Sequence, residues 1–168
     1  MIKISCLLGF LSLGLLAGVD AQAPLDSVQL RTVKGKMVSY SSLTGKSPLV
    51  MICFWSMNSE SSISELTAIN QRFAKLKQPL NFTMLAICVD DAGLVGRMRN
   101  TALQNDWTFD VYADVDGGLQ QAFHSTNVPH SLIVNKGEVV YQQSGFEPGS
   151  ENYLFSKIQT LAIPPRQR

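Results

Sequence analysis

Leu49-Val50-Met51-Ile52-Cys53-Phe54-Trp55 is an unbroken apolar run, followed at once by the polar stretch Ser56-Met57-Asn58-Ser59-Glu60-Ser61-Ser62. An apolar run of strand length with no alternation predicts a β-strand covered on both faces. Beyond Ser62 the period changes, with Leu66, Ile69, Phe73 and Leu76 recurring at spacings of three and four. That stripe predicts an amphipathic helix ending near Gln78-Pro79. A buried strand, a serine-rich turn and a helix therefore stand together in the middle of the chain.

The same alternation continues downstream. Asn81 to Val89 reads as a second buried strand closed by Asp90-Asp91, and a helix follows around Leu94 to Leu103. Phe109 to Ala113 reads as a strand, Gly117 to His124 as a short helix and Ser131 to Val134 as a strand. Asn135-Lys136-Gly137 is a hairpin turn into Val139 to Gln143, and Glu151 to Leu161 forms a last amphipathic helix. Upstream, Gln29 to Tyr40 reads as two short strands around Lys34-Gly35-Lys36. Strands alternating with helices predict a mainly parallel sheet covered on both faces, with an antiparallel pair at one side. The expected architecture is a three-layer α/β/α domain.

The first residues stand outside that pattern. Lys3 is followed by an apolar stretch from Ile4 to Leu16 and then by small residues, which is the layout of a secretory signal. Val19-Asp20-Ala21 and Ala21-Gln22-Ala23 are the two cleavage candidates. Residues 1–23 are thus expected to be removed, leaving 24–168 as one domain. The stretch is short for a membrane-spanning helix, so no stable membrane insertion is expected after cleavage. With 14 Lys+Arg against 13 Asp+Glu, the chain has no electrostatic footprint for nucleic acid.

Three segments, in order, resemble extracytoplasmic thioredoxin-like proteins of the TlpA/ResA type. Pro48 to Trp55 is similar to the strand that leads into the family's Cys-x-x-Cys, and Ser64-Glu65-Leu66-Thr67-Ala68-Ile69-Asn70 to its following helix. Leu85-Ala86-Ile87-Cys88-Val89-Asp90 resembles the next strand with its terminal Asp. Asn127-Val128-Pro129-His130-Ser131-Leu132-Ile133-Val134-Asn135-Lys136-Gly137 resembles Gly-Val-Pro-Thr-Thr-Phe-Leu-Ile-Asp-x-Gly, whose proline is cis and faces the active site. The resemblance implies a thioredoxin-like fold with a mixed central sheet, and a periplasmic or secreted location.

Aligned on Phe54-Trp55, the family's two cysteines fall on Ser59 and Ser62. Disulfide exchange requires a thiolate, which a thiol near a helix N-terminus supplies and a serine hydroxyl does not. Dithiol chemistry is therefore not expected at this site, nor peroxidase chemistry, whose cysteine would stand at the same helix start. A nucleophilic serine needs an oriented base, and His130 is the one candidate. Helix capping explains the serines more simply: Ser62-x-x-Glu65 fits a capping box, and Asn58 or Ser59 can cap the first turn.

Cys53 and Cys88, the cysteines left after signal removal, both lie in apolar runs and are expected as buried free thiols, though export also permits a disulfide. Cys53 takes the place of the buried polar residue beneath the thioredoxin active site; a displaced redox centre is the rival reading to an inert thiol. No cofactor is implied, and two distant histidines do not make a metal site. What the resemblance leaves intact is a groove. An exported protein or extended peptide is the expected partner, bound without covalent chemistry around Trp55, Ser59, Glu60, Ser62, Val128, Pro129 and His130, with Met57 and Phe123 as further apolar contacts. The competing expectation is a working thiol oxidoreductase or antioxidant protein using Cys53 and Cys88.

Overall fold

A computed structural model describes residues 25–45 and 47–162. The expected signal, residues 1–23, lies outside the described residues. Seven strands form one sheet: β1 Gln29–Thr32, β2 Met37–Ser39, β3 Leu49–Trp55, β4 Thr83–Cys88, β5 Val111–Asp114, β6 His130–Asn135 and β7 Glu138–Ser144. Their spatial order is β2-β1-β5-β4-β3-β6-β7. The helices are α1 Tyr40–Thr44, α2 Glu60–Leu80, α3 Val95–Gln104, α4 Gly118–Ala122 and α5 Glu151–Ala162.

The apolar run at 49–55 is the centre of the sheet. Every residue of β3 is buried, between β4 on one side and β6 on the other. Alternate side chains feed two cores, because successive residues of a strand point to opposite faces. Met51, Cys53 and Trp55 pack with Leu66, Ile69 and Phe73 of α2, Met98 of α3, and Phe155 and Ile158 of α5. Val50, Ile52 and Phe54 pack with Tyr40 of α1 and Leu119 of α4. The result is a mixed seven-stranded sheet between two helical layers, a three-layer α/β/α thioredoxin-like fold.

The sheet is less parallel than the alternation of elements suggests. Only the β3–β4 and β4–β5 pairings, two of the six, are parallel. Both ends of the sheet are hairpins, β1–β2 and β6–β7, and a hairpin is antiparallel by construction. The turn of the first carries Gly35 at φ +80°, and Lys136 and Gly137 turn the second at φ 52° and 87°. These are left-handed conformations that glycine adopts at little cost. The short helix α1 lies where the sequence suggests the end of a strand; Ser39 caps it by accepting from the Ser42 N–H.

Candidate functional site

The turn after β3 is clamped from the next strand. The Asp90 carboxylate accepts from Ser56 Oγ at 2.8 Å and from the Met57 N–H at 2.6 Å. Its Oδ2 also accepts the Cys88 thiol proton at 3.4 Å. The Asn58 N–H donates to Ser56 Oγ at 3.1 Å, and the Ser59 N–H to the Ser56 carbonyl at 3.2 Å. The chain thus enters α2 in a fixed direction, with Ser59 at the position that caps it.

Ser59 is the cap in fact. Its Oγ accepts from the Ser62 N–H at 3.2 Å and from Ser62 Oγ at 2.9 Å, and lies 3.2 Å from Ser61 Oγ. Ser62 is fully buried, while Glu60 and Ser61 are exposed in the first turn. The Ser59 and Ser62 hydroxyls therefore satisfy one another. Neither is paired with a base: the His130 side chain bonds to Gln142 and stacks on Phe54 at 6.2 Å between centroids. Burial also lowers the pKa of His130. No hydrogen bond joins it to either serine among the described residues, so a Ser–His pair of hydrolytic type is not assembled here.

The capping box expected of Ser62 and Glu65 does not form, because Glu65 turns inward. Its carboxylate is 1% exposed and accepts from Ser131 Oγ at 3.0 Å on β6 and from Gln143 Nε2 at 3.1 Å on β7. Burial pushes the Glu65 carboxyl up to about 7; the two hydrogen bonds oppose the shift and Glu151 adds to it. This buried polar triad, linking α2 to the β6–β7 hairpin, went unrecognised in the sequence. Its signal was present: Glu65 stands four residues before Ile69 and eight before Phe73, in the buried row of the helix.

Cys53 and Cys88 are free and buried. Cys53 lies directly opposite Ser131 in the β3–β6 pairing. Burial raises its thiol pKa well above the ordinary value, Glu65 raises it further, and the hydrogen bond with Ser131 opposes both. Burial likewise pushes the Cys88 thiol up to about 12. A thiol held neutral and out of solvent is a poor nucleophile.

Trp55 does not reach the groove. It is fully buried and meets Trp107 edge to face at 5.0 Å. The opposite side of the site is more open. The Val128–Pro129 peptide is cis, Pro129 is buried and Val128 half-buried. The Pro129 carbonyl accepts from the Gly145 N–H at 2.8 Å, so it is engaged rather than free. The Val128 N–H and carbonyl take no hydrogen bond among the described residues. Asn127 and His130, on either side of this dipeptide, line a cleft of about 710 Å³ that also reaches Phe123, His124, Gln142 and Gln143. That volume falls in the range of ligand-sized cavities.

The chain is thioredoxin-like by architecture, with a serine-capped helix start after β3 and a cis-proline at the entry to the neighbouring strand β6. It belongs to the AhpC/TSA family, whose profile matches residues 19–143. Among solved structures it is similar to an uncharacterized thioredoxin-like protein from Porphyromonas gingivalis, at 26% identity and TM-score 0.71, over 88% of this chain and 95% of that one. Two more distant likenesses concern the fold alone. A secreted Mycobacterium tuberculosis disulfide oxidoreductase homologous to Escherichia coli DsbE shares 18% identity at TM-score 0.63, over 79% of this chain and 94% of its own. The Xanthomonas campestris bacterioferritin comigratory protein shares 16% identity at TM-score 0.69, over 83% and 94%. A comparison with curated proteins finds no match.

Among the described residues no three His, Cys, Asp or Glu side chains converge as metal ligands. No helix among them is long and apolar enough to cross a membrane.

Proposed function

We propose that this chain is a redox-inactive member of its family that holds an extended peptide, without covalent chemistry, across the Val128–Pro129 loop. The observation that carries the reading is the unpartnered Val128 N–H and carbonyl beside a ligand-sized cleft. An extended chain laid against Val128 satisfies both groups, in the manner of β-augmentation. Its side chains then enter the cleft against Phe123 and His130. Ser59 and Ser62 contribute shape and a rigid helix start, with Glu60 exposed at the edge.

Loss of thiols fits non-covalent capture. A mixed disulfide holds a partner through one bond; hydroxyls paired to one another leave affinity to the groove alone. The segments quoted above favour the TlpA/ResA branch, and with it a periplasmic or secreted setting. The test has two arms. In an insulin-reduction assay with dithiothreitol the chain should add nothing to the uncatalysed rate, and robust turnover would sink the redox-inactive reading. In ¹⁵N-resolved titration with a library of extended peptides, the Val128 amide should be among the most strongly shifted. Shifts confined to other surfaces would remove the groove from the reading.

A further inference from the structure

A second cleft, of about 480 Å³, lies toward the other end of the sheet, between the β1–β2 turn and the C-terminal half of α3. Its floor is apolar: Val33, Leu103, Trp107 and Phe109. Among the described residues Leu103 is left 63% exposed there. The end of α3 builds this floor. Asp106 adopts φ 51°, and the chain folds back so that the Trp107 N–H meets the Ala102 carbonyl at 3.1 Å. The indole N–H is used inward, donating to Thr67 Oγ1 at 3.3 Å. The ring stacks on Phe109 at 5.6 Å and leaves apolar surface toward the cleft.

The rim carries the opposite chemistry. Lys34 and Lys36 approach from the β1–β2 turn and Arg99 from α3. None of the three forms an ion pair among the described residues. One carboxylate, Asp110, shares the lining and accepts from the Tyr112 hydroxyl. Three cations against one acid, drawn from two separate elements around an apolar floor, make a site with an excess of positive charge at its mouth.

We propose that this cleft binds an apolar carboxylate, with its hydrocarbon on Leu103, Trp107 and Phe109 and its charge among Lys34, Lys36 and Arg99. Apolar burial supplies the attraction for the tail and is indifferent to the headgroup. The cations discriminate an anion from a neutral or cationic molecule of equal length. Nothing in this site involves Val128 or the helix start at Ser59.

The test uses the full chain with decanoate, decanol and decyltrimethylammonium as probes, followed by calorimetry and tryptophan emission. Decanoate should bind saturably and change the emission, decanol should bind about tenfold more weakly, and the cation should not bind. A Lys34→Ala, Lys36→Ala, Arg99→Ala chain should lose about tenfold in decanoate affinity, as expected for three solvent-exposed ion contacts. Leu103→Asp, at an exposed position that leaves the fold intact, should abolish binding. Absence of saturable decanoate binding would overturn the proposal. Equal affinity for decanol, unchanged in the triple variant, would also overturn it. So would concentration-dependent self-association of the full chain that Leu103→Asp removes, which would assign the cleft to a second copy.

Discussion

The two halves of the redoxin site differ in how completely the protein uses its own polar groups. At the start of α2, the Ser59 and Ser62 hydroxyls bond each other and the helix N–H of Ser62, and the preceding turn is clamped by Asp90. At the entry to β6, the Val128 N–H and carbonyl are unmatched within the described residues, and the loop borders a cleft. A polar group left unpaired at a groove is one a ligand can satisfy; a group already paired must first be released, at a cost of about 1 kcal/mol or more. The paired hydroxyls therefore close one half of the site and leave the other open.

The strongest way to break that contrast is to reopen the closed half. A Ser59→Cys, Ser62→Cys chain puts two thiols at positions whose side-chain oxygens now lie 2.9 Å apart, at a helix N-terminus that favours the thiolate. It should gain dithiothreitol-dependent insulin reduction over a baseline of none. A doubly substituted chain that folds and remains inactive would mean that the scaffold has lost more than its thiols.

Trp55 marks the boundary of the contrast from beneath. Fully buried against Trp107, it belongs to the core rather than to the groove, so Trp55→Ala should cost about 3–5 kcal/mol in urea denaturation. A loss under about 1 kcal/mol would place the ring at the surface after all, since exposed apolar truncations change stability little.

How far the sequence discloses this contrast depends on the residue. The β3 run and the α2 stripe are legible because burial is continuous in one and periodic in the other. The sheet's polarity is not, since a hairpin at the first two strands and another at the last two dilute a pattern that alternation alone reads as parallel. α1 is hidden in Tyr40-Ser41-Ser42-Leu43-Thr44, five residues with too little length to show a period. The serines at 59 and 62 are legible as capping residues. Which of them caps the helix is decided by the direction that Asp90 gives the turn, a contact across the sheet that local spacing does not encode. Glu65 is misread for a related reason: its spacing from Ser62 satisfies a local motif, while Ser131 and Gln143, 66 and 78 residues away, compete for the carboxylate and win.

Glu65 also gives the next prediction. Its native carboxyl holds a proton up to about pH 7, against an ordinary value of 4.5. Between those values the native state binds more protons than the unfolded chain, so stability falls as pH rises through the window and levels off above it. The whole change is at most about 3 kcal/mol. Burial lowers the pKa of His130, which contributes the opposite slope, and raises that of Asp114, which contributes the same one. The clean measurement is therefore the difference between the parent chain and Glu65→Gln across this window. That difference should favour the variant increasingly toward pH 7, and a constant offset would show that Glu65 does not titrate there.

The smallest effect tests the closed half directly. Ser59→Ala removes the acceptor of the Ser62 N–H and of the Ser62 hydroxyl together. Loss of a helix cap costs about 1 kcal/mol, and the buried Ser62 hydroxyl, left without its acceptor, adds to that. Ser62→Ala should cost less, because Ser59 is half-buried and its hydroxyl can turn to water. In the double variant neither hydroxyl remains to be stranded, so its loss should be smaller than the sum of the two single losses. A thermodynamic cycle over these four chains reads that coupling without reference to any ligand. Strict additivity would mean that the two serines act separately, and that the helix start is closed by something other than their mutual bond.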